Sequence, residues 1–238
     1  MLQQTQVERV KPKFTAFIER FPSVESLAAA PLSEVLACWN GLGYNRRAKY
    51  LWQAAQSIVR EHACIFPQTQ PELEQLSGVG PNTAGAILAY AYNQPAVFIE
   101  TNIRTVYIHH FFATLSQIDD TIIRQKLAAT LPKTEPRNFY WALMDYGSWL
   151  KANGVKYNAK SAHYVKQSPL EGSVRQMRGM LLRSLIASDR PYQELEQLYL
   201  NDSRFESALR GLIVDGLVVQ HNGMVCLTGS EKSVILKE

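Results

Sequence analysis

A chain of 238 residues with 46% apolar side chains can bury one large core or two unequal ones. Its three cysteines, Cys38, Cys64 and Cys226, are too few and too scattered for a disulfide framework or a four-thiolate metal site, and they are expected as buried thiols. The net charge of +4 is compatible with a polyanionic partner, and the lack of any run of about 18 apolar residues or a charged-then-apolar opening segment leads to the expectation of a cytoplasmic protein without membrane association.

From Gln3 to about Tyr164 the apolar residues recur every three or four positions between proline and glycine breaks, which predicts helices with short connections. The first stripe is Val7, Val10, Phe14, Phe17 and Ile18, the next Val35, Leu36 and Trp39, and a third Leu51, Ala54, Ala55 and Ile58. Ser33, in Pro31-Leu32-Ser33-Glu34, sits at a plausible helix start. After these comes Leu76-Ser77-Gly78-Val79-Gly80-Pro81, expected to turn sharply between a helix over 71–76 and one over 83–92. Gly78 and Gly80 would supply backbone geometry that residues with a Cβ avoid, Val79 would plug the core, and the amides opening the second helix would seat a phosphate oxygen. Such a seat would grip the DNA backbone and be blind to base sequence.

At Ser168 the pattern changes. A polar linker precedes a helix with Val174, Met177, Leu181, Leu182 and Leu185 inward, then a short helix over 192–199, then one capped at Asp202 or Ser203 with Phe205, Leu209, Leu212 and Ile213 inward. Leu217-Val218-Val219 and Met224 to Leu227 flank His221-Asn222-Gly223, whose Asn-Gly pair suits a tight β-hairpin turn. Three helices and a hairpin is the winged-helix order. The expected architecture is therefore an all-α helix-hairpin-helix domain over 1–167 followed by a small α+β winged-helix-like domain over 168–238. Arg175, Arg178, Arg183 and Arg204 would make the second domain another DNA contact; a packing or protein-docking role fits equally well.

Several segments together resemble the helix-hairpin-helix DNA glycosylase superfamily, and its MutY-type adenine glycosylases above all. They are Met1-Leu2-Gln3-Gln4-Thr5-Gln6-Val7, Trp39-Asn40-Gly41-Leu42-Gly43-Tyr44, the hairpin with Thr83-Ala84-Gly85-Ala86 behind it, Glu100-Thr101-Asn102-Ile103-Arg104, and Met144-Asp145-Tyr146-Gly147. The resemblance implies a monomeric base-excision enzyme acting on double-stranded DNA that carries a mismatch or lesion. It would hydrolyse the N-glycosidic bond of a mispaired base, adenine opposite guanine or 8-oxoguanine first. Thymine or uracil removal, or binding of distorted DNA without cleavage, are the alternatives.

Carried over residue by residue, the resemblance places Gln3, Gln4 and Tyr44 in the base stack beside the lesion, where something must fill the space of a flipped nucleotide. The competing reading of Tyr44 is a residue that ends a helix and packs. Gly78, Val79, Gly80, Asn82, Thr83, Asn102 and Arg104 would contact DNA. Glu100 would stabilise the positive charge that develops on the deoxyribose as the base departs. The family pattern has aspartate here, one methylene shorter, and a helix-start acid favoured by the dipole is the other reading of Glu100. Relatives that nick the strand place a lysine at the position of Asn82; asparagine forms no Schiff base, so a monofunctional enzyme is expected.

Three family features are missing from the sequence. A glutamate that would protonate the leaving adenine belongs two positions before Met1, so a shortened chain is expected. The four cysteines of an iron-sulfur cluster have no counterpart over 151–166, so no cluster is expected, and Trp149, Tyr157 and Tyr164 would pack in its place. A Nudix-like C-terminal domain is not recognisable. The resemblance leaves room for a monovalent cation on hairpin carbonyls. His109 and His110 lack partners at metal-ligand spacing and read as structural or phosphate-facing.

Overall fold

In the computed structural model, residues 1–3, 5–162, 164 and 168–230 are described; Gln4 lies outside them. They form two compact units: one joins residues 1–66 with the segment from Ser168 onward, and the other spans 67–167. No helix among the described residues is long and apolar enough to cross a membrane.

The first unit contains α1 (Val7–Arg20), α2 (Val24–Ala29), α3 (Leu32–Trp39) and α4 (Arg46–Glu61). To these it adds α10 (Val174–Ala187), β1 (Arg190–Pro191), α11 (Tyr192–Leu198), α12 (Phe205–Val214), β2 (Val218–His221) and β3 (Met224–Leu227). One continuous core unites both stretches: Phe17, Val35, Leu36 and Trp39 belong to the same buried cluster as Met177, Leu181, Leu185, Phe205 and Leu212. Ser23 and Ser26 close a reciprocal capping box on α2, and Ser173 caps α10 by accepting from the Gln176 amide. The strands make an antiparallel sheet in the order β1-β3-β2. Asn222 (φ 48°) and Gly223 (φ 74°) supply the expected tight turn, with His221 in the strand and not in the turn. β1 was invisible to periodicity because two residues carry no alternation.

The second unit holds α5 (Gln70–Gln75), α6 (Pro81–Tyr90), α7 (Thr101–Phe111), α8 (Asp120–Thr130), α9 (Pro136–Ala152) and a 3₁₀ turn (Tyr157–Lys160). α7 lies at its centre, with Ile103, Val106, Tyr107 and Ile108 buried among Phe98, Ile123, Leu127, Tyr140 and Leu143.

Several sequence expectations need correction. Only Val10 and Phe17 of the first stripe are buried, while Val7, Phe14 and Ile18 are about half exposed: five positions span more of the helix circumference than one packed face covers. Leu51, Val174 and Ile213 are also exposed. Ser33 is not a helix cap; Pro31 holds that place, and the Ser33 hydroxyl donates to the Gly229 carbonyl at 3.0 Å. Cys226 is buried, but Cys38 and Cys64 are only partly so. Tyr157 packs on the α7 core, whereas Trp149 and Tyr164 are exposed.

Candidate active site

The hairpin turn falls between α5 and α6. Gly78, at φ 76°, occupies the left-handed region and needs glycine, but Gly80 is extended (φ −96°, ψ −180°), a conformation open to any residue. What Gly80 offers is space, since a Cβ there would meet nothing within 4 Å. Val79 is only partly buried; Leu73 and Leu76 provide the plug under the turn. Gly80 caps α6 without a side-chain acceptor, and Pro81 opens the helix with no N–H to satisfy. This leaves the positive end of α6 open to an anion, at the turn where Thr83 stands partly exposed.

Asn82 has a role that the sequence did not suggest. Its Oδ1 accepts from Arg124 Nη2 at 2.9 Å and from the Ile99 amide at 3.4 Å, and Arg124 Nη1 donates to the Val97 carbonyl at 3.4 Å. Asn82 and Arg124 thereby bracket the extended segment that delivers Glu100. Arg124 sits in mid-helix on α8, where nothing in the sequence distinguishes it from a solvated surface arginine.

Glu100 stands at the start of α7 in extended conformation. Its carbonyl accepts from the Arg104 amide at 2.8 Å, but its side chain makes no capping hydrogen bond. Burial pushes its carboxyl above the ordinary glutamate range, and burial together with the Glu100 charge raises the phenol of neighbouring Tyr90. Behind it, Asn102 Nδ2 donates to the Met144 carbonyl at 3.0 Å. Any Cβ on Gly147 would collide with the Asn102 backbone, so Met144-Asp145-Tyr146-Gly147 is where α9 closes directly on the first turn of α7. Arg104 forms a bidentate pair with Asp120, at 2.9 and 2.7 Å, with both side chains largely buried. His110 Nε2 lies 2.9 Å from the Tyr146 hydroxyl, its ring stacked on Tyr146, which is the structural role among the two considered.

In the first unit, Gly41-Leu42-Gly43-Tyr44 joins α3 to α4, with Tyr44 itself at φ 47°. The indole N–H of buried Trp39 donates to the Gly43 carbonyl at 3.1 Å. Arg47, which the sequence reading passed over, donates to the carbonyls of Met1, Gln3, Leu42 and Gly43 and to the Thr5 hydroxyl, and so gathers the opening segment and the glycine loop around one guanidinium. An available signal was its place in the first turn of α4, where the helix dipole disfavours a cation and some other contact must justify one. Of the C-terminal arginines, Arg178 pairs with Asp215, and Arg204 with Asp202 and Gln176; Arg175 reaches Tyr44, and Arg183 is exposed. Arg175, Arg178 and Arg204 thus make contacts within the chain, as the packing reading of this segment expects. Among the described residues no group of His, Cys, Asp and Glu is arranged to hold a metal ion.

A helical fold with a glycine hairpin at a helix start and a carboxylate at the head of a buried helix defines a class, that of the helix-hairpin-helix repair glycosylases. The chain belongs to the HhH-GPD superfamily of base excision DNA repair proteins, whose family model matches residues 1–133. It is 34% identical to the adenine DNA glycosylase of Mycolicibacterium smegmatis over 253 residues, covering 96% of this chain and 85% of that one. It is also 34% identical to the adenine DNA glycosylase of Buchnera aphidicola over 156 residues, covering 64% of this chain; the match spans 44% of that relative's length. Among solved structures, a non-covalent endonuclease III–DNA complex superposes with a TM-score of 0.56 at 20% identity, covering 64% of this chain and 72% of that one, a likeness of fold.

Proposed function

We propose that this protein is a monofunctional glycosylase that hydrolyses the N-glycosidic bond of adenine mispaired with guanine or 8-oxoguanine in duplex DNA. The observation that carries the reading is Glu100: a partly buried carboxylate at the head of α7, made unusually basic by desolvation and not spent on capping the helix it precedes. As the base leaves, positive charge grows on the deoxyribose, and a carboxylate already partly desolvated stabilises that charge with little reorganisation. The hairpin and the open end of α6 hold the phosphate backbone, and Tyr44 with Gln3 and Gln4 enters the stack left by the flipped adenine. Asn82 supplies no amine, and its Oδ1 is engaged by Arg124, so no Schiff base forms and the abasic strand is left intact.

The domain of residues 1–167 is the glycosylase-like part in this reading, and 168–238 a winged-helix-like appendage whose core is continuous with the first helices. The protein acts as a monomer without a cluster cofactor.

Single-turnover cleavage of labelled duplexes carrying A:8-oxoguanine, A:G, T:G and U:G tests the proposal. The two adenine duplexes are expected to be cleaved, with no adduct trapped by borohydride, and Glu100→Gln should lower the rate by about a hundredfold or more. Binding of both adenine duplexes without cleavage of either, by this chain and by a version extended upstream to supply a glutamate two positions before Met1, would overturn the catalytic reading; an abundant trapped adduct would overturn the monofunctional one.

A further inference from the structure

Tyr44 is held in place from the C-terminal part of the chain. Its hydroxyl lies 3.1 Å from Arg175 Nη1, 131 residues away in sequence, and the other arm of the same guanidinium donates to the Ser168 carbonyl at 3.1 Å. The Tyr44 ring has two cations beside it, with the guanidinium carbons of Arg175 and Arg47 at 5.6 and 5.8 Å from its centroid.

The helix that carries Arg175 is itself anchored to the start of α4, immediately after the tyrosine. Asp215 joins Arg178 of α10 to Arg46 of α4, and its carbonyl accepts from Lys49 Nζ at 2.6 Å. One surface of the C-terminal segment, formed by Arg175, Arg178 and Asp215, is therefore spent on residues 44 to 49.

We propose that Arg175 is a positioning residue that sets the Tyr44 side chain for entry into the base stack, making the C-terminal segment part of the lesion-reading apparatus. The inference rests on the reading of Tyr44 as a DNA-inserting residue. Tyr44 combines a left-handed backbone, which L-residues seldom adopt, with a ring that would otherwise choose among rotamers; the hydrogen bond to its hydroxyl and the two guanidinium groups within 6 Å of its ring fix that choice before DNA arrives. Arg47 extends the same arrangement to the opening segment through the Gln3 carbonyl at 2.9 Å, so the elements expected beside the lesion share one cation-lined scaffold. Such a scaffold also attracts the polyanion toward the tyrosine.

The test uses the full chain and a duplex with 2′-fluoro-deoxyadenosine, which resists cleavage, opposite 8-oxoguanine, compared with a fully matched duplex. Arg175→Ala and Tyr44→Phe should each weaken binding of the lesion duplex by about fivefold, the effect of one lost hydrogen bond, with matched-duplex binding changed less than about twofold. Combining Arg175→Ala with Tyr44→Ala should weaken lesion binding no further than Tyr44→Ala alone. Arg175→Lys, which keeps charge and bulk but cannot span Tyr44 and Ser168 together, should behave like Arg175→Ala while melting like the parent chain. Additive losses, or equal losses on both duplexes, would show Arg175 acting on DNA by itself and overturn the proposal. A 3-fluorotyrosine installed at position 44 gives a readout without DNA: an unchanged ¹⁹F resonance in Arg175→Ala overturns the positioning role. Lesion binding unaffected by Tyr44→Ala would instead overturn the reading of Tyr44.

Discussion

At Glu100 the requirements of stability and of chemistry conflict. Burial raises its folded-state pKa, so the native protein holds that proton more tightly than the unfolded chain does. The stability associated with the neutral form is fully present below the unfolded pKa, near 4, and is lost as pH rises through the raised folded value. Glu100→Gln is therefore expected to melt at a higher temperature than the parent at pH 7, and the difference should vanish near pH 4. Calorimetry at the two pH values checks this; a Gln variant less stable than the parent at neutral pH would show that the ionised carboxylate has compensating partners. Asn82 shows the opposite case. The sequence exposed its chemical limitation, the missing amine, but not its structural work, because accepting from Arg124 and Ile99 depends on residues 42 and 17 positions away.

The elements follow local rules where the local demand is strong. Proline starts α5, α6 and α9, a capping box starts α2, and the Asn222-Gly223 turn joins β2 to β3, all features that neighbouring residues specify. Gly147 belongs to this scale but answers to a distant neighbour, since it is the backbone of Asn102 that leaves no room for a side chain. Gly147→Ala should destabilise the second unit by about 1–3 kcal/mol, the usual cost of overpacking, lowering the melting temperature by several degrees. Because Asn102 lies two residues beyond Glu100, the cleavage rate should fall as well. Thermal unfolding and single-turnover kinetics read the two effects, and an unshifted melting temperature would mean that α9 can retreat without cost. Burial was less legible than element type. The 3.6-residue period located α1 and α10 but could not tell Val10 from Val7 or Met177 from Val174, because a wide apolar stripe does not reveal how much of it a neighbour will cover.

For the molecule as a whole, the unit formed by residues 1–66 and the segment from Ser168 makes the C-terminal part a structural component of the N-terminal one. Phe17, Leu36 and Trp39 share a buried cluster with Met177, Leu181 and Leu212, and each such large apolar side chain contributes roughly 1.5–3 kcal/mol on burial. A chain ending at residue 167 is expected to lose hydrogen-exchange protection in α1 and α3 while α6 and α7 stay protected. Parent-like protection in α1 and α3 would show that the first helices stand alone. The sequence by itself determined the helical class, the hairpin, the turn of the C-terminal sheet and the presence of Glu100 and Asn82 at telling positions, because each depends on residue type within a few neighbours of the chain. Only the tertiary structure decided which arginines are spent internally and on what: Arg104 on Asp120, Arg124 on Asn82, Arg47 on the opening segment, Arg175 on Tyr44. A guanidinium looks the same in sequence whether it faces a phosphate or a carbonyl, and its partner is chosen by packing between segments as far apart as the 131 residues from Tyr44 to Arg175.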